Sequence, residues 1–302
     1  MKKSFKGTVL VVLAAIAWGI SGVSGQFLMK QGISVYLLTS LRLLISGLLL
    51  IGVVIWQQPQ QIKAILEDKK VLVGIFGFSI CGLLLNQFSY LQAIHYTNAG
   101  TATVLQYMAP VLVLTIICFK NRSLPTMGEL TAILLAILGT FIIATHGQLG
   151  NLDLTPAGLF WGLFSAVTYT LYMFLPIKLI QEWGSLLVIG LGMLLGGLVF
   201  SLVSQSWQYN PQFQANNLLA YIGLIIVGSV FAYTSFLKGV SLIGAVKGSL
   251  LAFIEPIAAV FFSVAIMKEI FYPIDFLGML LTILAVLIIS VRDLLAVNKE
   301  KI

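Results

Sequence analysis

The chain is predicted to be an all-α integral membrane protein, with ten transmembrane helices arranged as two inverted five-helix repeats. Three observations carry that prediction. The first is composition: of 302 residues, 59% are hydrophobic and only 9% charged, with a mean hydropathy of +1.04. A soluble domain carries about 25% charged residues. The second is grouping: the apolar residues fall into ten runs of about 20 residues, the length that crosses a bilayer as a helix. The third is self-similarity: the stretch from Gly244 to Met267 echoes the one that begins at Asn98, 146 residues earlier.

In chain order the first set of runs covers roughly 7–27, 35–56, 71–94, 98–119 and 128–146. The second covers roughly 156–178, 185–205, 217–239, 244–267 and 274–291. The first run resembles a signal peptide, with Lys2, Lys3 and Lys6 ahead of it and Ala15-Ile16-Ala17 inside it. It extends to Phe27 and leads directly into more spans, so it is read as a retained helix. The Asn/Gly/Asp-rich segment Gly147–Pro156 links two repeats, at 1–146 and 155–291, and 292–302 form a tail. Pro156 suits the first turn of the helix that follows. Ser206–Asn217 is polar and uncharged and reads as an exposed loop. Cys81 and Cys118 lie inside apolar runs and read as buried thiols, not as a disulfide.

The 146-residue shift pairs Tyr90 with Phe236, Gln87 with Tyr233, Tyr107 with Phe253 and Pro110 with Pro256. A mid-span proline removes a backbone hydrogen bond and clashes with the carbonyl four residues back, so kinks are expected at Pro110 and Pro256. Orientation follows from basic residues, which concentrate on the cytoplasmic side. Thirteen of the seventeen, Lys268 among them, are assigned to the side of the termini; Lys30, Lys238 and Lys247 are assigned to the other, and Arg42 lies within a span. Both termini are therefore placed in the cytoplasm. Five spans per repeat is an odd number, so the halves insert in opposite senses, as in secondary transporters whose substrate site lies between repeats.

These features resemble the EamA family of the drug/metabolite transporter superfamily. Ala17-Trp18-Gly19 matches that family's small-Trp-Gly motif in the first helix, and a shift of 151 sets Trp18 on Tyr169 in the sixth. Pro110 and Glu255-Pro256 match its proline positions, and Lys268-Glu269 its acidic position at the inner end of the ninth helix. Asn121-Arg122-Ser123 departs from the pattern where an acidic residue is common. The resemblance covers nearly the whole chain and implies ten helices around a central cavity, transport of a small metabolite in a plasma (inner) membrane, and export as the direction.

Polar residues inside spans are the candidate site. Arg42 lies ~10 Å into the second helix at 1.5 Å per residue, either snorkelling or bridging helices, or attracting an anionic group. Lys247, about one turn below the outer end of the ninth helix, carries the same alternatives. Glu255 stands near mid-membrane, where snorkelling is hard; it either bonds backbone groups freed by Pro256 or lines the cavity, with a gating or proton-coupling role. Asn86, Gln87 and Tyr90 must look inward, since unpaired amides in lipid are costly. Gln106 and Tyr107 precede Pro110 by one turn, while Tyr169 and Tyr172 share a helix face. Aromatic residues at that spacing serve as packing or as the flat walls of a ligand site. Trp18, Gln87, Tyr90, Tyr107, Tyr169 and Tyr233 are expected to converge on one pocket. Spans one, three, four, six, eight and nine should surround it, and two, five, seven and ten should be peripheral. Gly19, Gly22 and Gly25, at three-residue spacing, permit close helix contact.

Other classes lack their signatures. The aspartates, Asp68, Asp153, Asp275 and Asp293, all sit in loops or at helix ends, and two distant histidines form no HExxH. Gly244-Ala245-Val246-Lys247-Gly248-Ser249 has the wrong spacing for a phosphate-binding loop, and no charge ring marks a channel. The expected activity is secondary transport of a small metabolite, an amino acid or a related compound, with no enzymatic step. The expected partners are that metabolite, the lipid bilayer and protons as coupling ion; no cofactor, metal or nucleic acid is implied. A channel or importer is the alternative, and an intramembrane enzyme a more distant one.

Overall fold

Helices account for nearly all of the regular structure because an apolar backbone stretch in lipid must satisfy its own N–H and C=O groups. The computed structural model of the chain describes residues 2–109, 111–112, 118, 122, 124–145, 154–243, 248 and 251–299. Pro110 and Lys247 lie outside the described residues, as does most of the linker 147–153.

The helices are α1 (Lys2–Lys30), α2 (Val35–Gln57) and the short α3 (Pro59–Glu67). Next comes α4, which runs through Lys69–Gly77, Phe78–Leu84 and Leu85–Tyr96, followed by α5 (Ala99–Gln106) and α6 (Met127–Thr145). The second half holds α7 (Pro156–Phe174), the short α8 (Ile177–Trp183) and α9 (Ser185–Ser204). It continues with α10 (Ala215–Tyr221, Ile222–Phe231 and Ala232–Ile243), α11 (Ile254–Met267) and α12 (Pro273–Lys299). Six helical stretches are long and apolar enough to cross a membrane: Phe5–Lys30, Val35–Gln57, Lys69–Tyr96, Pro156–Trp183, Ser185–Ser204 and Asn217–Ile243. Met127–Ile143, Ile254–Met267 and Pro273–Ala285 are shorter apolar helices. No strand occurs among the described residues.

Local chemistry sets the helix starts. Ser34 accepts from Tyr36 N, Asp68 from Lys70 N and Val71 N, Asn98 from Thr101 N, and Thr155 from Gly158 N with Pro156 in the first turn. Thr126 and Glu129 form a reciprocal capping box ahead of α6. Each such cap stabilises its helix by about 1 kcal/mol.

Two helix pairs run antiparallel at close range. A Cβ at Gly47 of α2 would stand 2.5 Å from Leu194 N of α9, and one at Gly197 of α9 2.8 Å from Leu44 N of α2. Gly139 of α6 and Gly278 of α12 meet in the same way, with Gly278 O 2.6 Å from a Cβ at Gly139. α1 packs on α10 and α11, and α7 packs on α4 and α5. The outward faces are apolar, with Leu48, Leu134, Ile137, Leu198, Phe261 and Leu280 all exposed, which suits a lipid surround.

The structure corrects several expectations. Lys30 Nζ lies 2.6 Å from Glu269 Oε1, so Lys268 and Glu269 stand at the Lys30 end, opposite the N-terminal end of α1. A Cβ at Gly7 would touch Leu242 and Ile243, which puts the C-terminal end of α10, and Lys238 with it, beside the N-terminal end of α1. In the ten-span reading the ninth span starts on the side of the termini and, as a single crossing, ends on the opposite side, where Lys268 and Glu269 follow it. Cys81 is free but exposed, because an apolar run in a membrane protein has a lipid face as well as a protein face; Cys118 is free and half-buried. Ser206–Asn217 is exposed only in its middle. Ser206 is buried against Ser40 and Ser204, and Asn217 is buried with its Nδ2 on Gln212 O at 2.8 Å.

A candidate ligand cavity between the two halves

A cavity of about 190 Å³ lies among α1, α2, α4, α5, α7, α8, α9, α10 and α11. Of the residues singled out above, Trp18, Arg42, Asn86, Gln87, Tyr90, Gln106, Tyr169, Tyr172, Tyr233 and Glu255 all line it. Tyr107 stands just behind the wall, bonded to Glu255. The second and seventh spans are not peripheral, since Arg42 of α2 and Ile189 of α9 reach the lining. Among the described residues the fifth and tenth spans, α6 and α12, contribute nothing to it.

Backbone irregularities aim the polar side chains. Both α4 and α10 carry a π-helical stretch, at Phe78–Leu84 and Ile222–Phe231, just before their cavity residues. Such turns shift the face a helix presents and are frequent at functional sites. Asn86 and Gln87 follow the first, and Tyr233 the second. Gln87 Nε2 donates to Tyr233 Oη at 3.3 Å, and Gln106 Nε2 donates to Asn86 Oδ1 at 3.1 Å. Tyr90 Oη pairs with Thr103 Oγ1 at 2.7 Å. These amides are thus partly paired with one another, while still facing the cavity.

Arg42 is 4% exposed. Its Nε donates to Ser229 Oγ at 3.1 Å, and Ser229 in turn donates to Leu224 O, five residues back along the π-helical stretch, at 3.4 Å. Nη1 has no hydrogen-bond partner among the described residues. The position of Arg42 therefore decides between the open readings: it does not snorkel to water, and the bridge to α10 uses only Nε.

Glu255 is 8% exposed and accepts from Tyr107 Oη at 2.8 Å. The same hydroxyl lies 3.0 Å from Ala252 O. Ala252 is four residues before Pro256, so its carbonyl is the one that the proline leaves without a helical donor. The expectation that Glu255 bonds the freed backbone is corrected: Tyr107 does so, and Glu255 shares that hydroxyl. The helix breaks three residues ahead of the proline, at Phe253 (φ −62°, ψ −6°), and the fourth span breaks at Tyr107 with nearly the same angles (φ −70°, ψ −1°). Pro256 itself backs onto a separate apolar groove of about 510 Å³ with Val260, Phe261, Met279 and Leu280. Adjacent helix residues point about 100° apart, which separates it from Glu255.

Aromatic rings complete the walls. Trp18 packs on Tyr233 and Phe236 with ring centroids 5.5 and 5.1 Å apart, and Tyr169 lies 6.0 Å from both Tyr107 and Tyr172. The rings therefore pack together and face the cavity at once. Met173, Pro176, Ile180, Ile189, Phe236 and Leu237 also line it and were not anticipated. Phe236 was legible, as the partner of Tyr90 under the 146-residue shift; the others are apolar residues among many, with nothing in the sequence to distinguish them. Among the described residues no three His, Cys, Asp or Glu side chains are grouped to hold a metal ion.

The model of the EamA-like transporter family matches this chain twice, over residues 5–145 and 156–291. The chain belongs to the EamA-like transporter family. It is 35% identical to an uncharacterized inner membrane transporter of Salmonella typhimurium, YicL, over 96% of this chain and 97% of that protein. It is also 28% identical to an uncharacterized transporter of Bacillus subtilis, YetK, over 92% of this chain and 84% of that protein. A solved crystal structure at 17% identity covers 95% of this chain and 94% of its own, with a TM-score of 0.54, and shares the fold. A membrane transporter of the EamA-like family needs a small-molecule site within its helices. Among the described residues the cavity offers one guanidinium, one carboxyl, three amides and a set of rings in a space of about 190 Å³.

Proposed function

We propose that this EamA-like protein is a secondary transporter that exports small metabolites, amino acids or related compounds, across the plasma (inner) membrane by alternating access. One observation carries the reading: the cavity holds buried, hydrogen-bonding side chains from both halves of the chain, with aromatic walls. Such groups in lipid require a wet or ligand-filled space.

Ten spans in two inverted repeats, at 1–146 and 155–291, are supported by contacts between residues that the repeat alignment pairs. Gln87 bonds to Tyr233 and Tyr107 packs on Phe253 at 5.4 Å, each 146 residues from its partner. Two residues related by a twofold axis touch each other only near that axis. The antiparallel packing of α2 with α9 and of α6 with α12 fits opposite insertion of the halves. Exchanging Lys238 and Lys268 between the two sides leaves the count at thirteen to three, so the bias toward cytoplasmic termini is unchanged. The family name and the inner-membrane relative support a plasma (inner) membrane.

On that orientation the cavity extends toward the cytoplasm, past Pro176 and the half-exposed Met173. The outer end is held by Gln26 Nε2 and Lys30 Nζ on Glu269 Oε1 (2.8 and 2.6 Å) and by Ala99 N on Gln26 Oε1 (3.0 Å). Glu255 serves as gating or proton-coupling group. When it is ionised, the Tyr107 hydroxyl donates to it. When it is protonated, it donates to Tyr107 Oη, and the tyrosine proton turns to Ala252 O and caps the break before Pro256.

The test is counterflow in proteoliposomes loaded with an amino-acid mixture, with and without a pH gradient. Saturable exchange that responds to the gradient is expected. Ohmic current would mark a channel, and no solute movement would remove the transport reading.

A further inference from the structure

We infer that Arg42 is the anion-docking group of the cavity, and that it selects ligands carrying a single carboxylate on an apolar, ring-sized body. The inference rests on the reading of this cavity as a ligand site, and not on direction or coupling. Arg42 is the one basic residue among the described residues lining the cavity. It lies seven residues from the start of α2, too deep for its head to reach water, and is 4% exposed. Its orientation is set by the Nε bond to Ser229, which the carbonyl of Leu224 holds in turn. That leaves Nη1 buried and without a partner among the described residues, on a side chain that lines the cavity. A buried charged donor left unpaired is strongly unfavourable, and a planar guanidinium is matched best by a planar carboxylate.

The rest of the lining narrows the class. Glu255 lines the same cavity, and no ion pair within 4.0 Å joins it to Arg42. Among the described lining residues the charged groups are one guanidinium and one carboxyl, which disfavours a dianion such as a phosphate monoester, because its second negative charge would have no counter-charge among them. A ligand that spans the space instead presents its carboxylate to Arg42 and a hydrogen-bond donor toward Glu255. Trp18, Tyr169, Tyr172, Tyr233 and Phe236 supply flat walls for its body, and a space of about 190 Å³ limits that body to about one ring.

The experiment uses the purified full chain in nanodiscs and two matched probe pairs, benzoate with benzamide and L-phenylalanine with L-phenylalaninamide. Binding is read by titration calorimetry and thermal shift. Each carboxylate is expected to bind roughly tenfold or more tightly than its amide, since the amide leaves Arg42 unpaired. Arg42→Gln should erase that preference with an unchanged circular-dichroism spectrum, and Arg42→Lys should retain part of it. If Arg42→Gln does not fold, the wild-type comparison still decides. An amide binding as well as its acid, a preference that survives Arg42→Gln, or no binding by any of the four probes would each overturn the inference. Carboxylate-selective binding without counterflow would leave Arg42 its role and remove the transport reading. Counterflow of solutes without any carboxylate preference would do the reverse.

Discussion

Tyr107 connects two groups through one hydroxyl, the Glu255 carboxyl and the Ala252 carbonyl, and packs its ring against Tyr169. Removing that hydroxyl leaves a buried carbonyl and a buried carboxyl short of a donor. Tyr107→Phe should therefore lower stability by about 1–3 kcal/mol. Amide exchange should quicken around Phe253 and stay unchanged in α2 and α9. Equal exchange across the whole chain would show general loosening instead of a local cap. Glu255→Gln keeps the shape but cannot ionise. It should leave the amount of folded protein unchanged while flattening the pH dependence of transport, and a wild-type pH profile in this variant would remove the coupling role.

At the scale of elements, small residues decide how closely helices approach. Gly47 sits where a Cβ would meet Leu194 backbone at 2.5 Å, whereas Gly52, about a turn further along α2, has nothing within 4 Å. Backbone cannot move aside as a flexible side chain can. Gly47→Ala should thus cost about 1–3 kcal/mol through overpacking, and Gly52→Ala should be neutral or slightly stabilising, as read from melting in detergent. The first helix shows the same logic at Gly19 and Gly22, where a Cβ would stand 2.8 Å from Ala258 Cβ and 2.7 Å from Tyr90 Oη. The three-residue glycine spacing announced close contact, and it could not announce with which helix.

For the whole molecule, the corrected placement of Lys268 and Glu269 makes a direct prediction. Accessibility tags at residues 1 and 302 and in Lys63–Lys70 should report the cytoplasm, and tags in Ser206–Asn217 and beside Glu269 should report the outside. A cytoplasmic signal beside Glu269 would contradict its pairing with Lys30. That pair is half-exposed on the lysine side, so it adds little stability, about 0–1 kcal/mol. Its effect should lie in the balance between cavity-open forms: Lys30→Glu should change transport rate more than melting temperature, and Lys30→Glu with Glu269→Lys should restore the rate.

The all-helical character and the places of the long helices were legible in this sequence because lipid demands long apolar runs, and every run but the ninth, whose described helix begins only at Ile254, starts within a few residues of an observed helix. The inward-facing polar residues were legible for the same reason, since Asn86, Gln87, Arg42 and Glu255 have no place against lipid. Recurrence of Gln87 as Tyr233 and of Tyr107 as Phe253 also pointed to the helices that meet. Tertiary structure alone decided the rest. The π-helical stretches that re-aim α4 and α10 leave no mark in apolar periodicity. That Glu269 meets both Lys30 and Gln26 of α1 follows from packing between helices far apart in the chain. The pairing of Arg42 with Ser229, and the Tyr107 bond to a carbonyl freed by Pro256, depend on side-chain directions set across helices far apart in the chain. Sequence spacing fixes faces within one helix, and only packing determines which faces of different helices share a cavity.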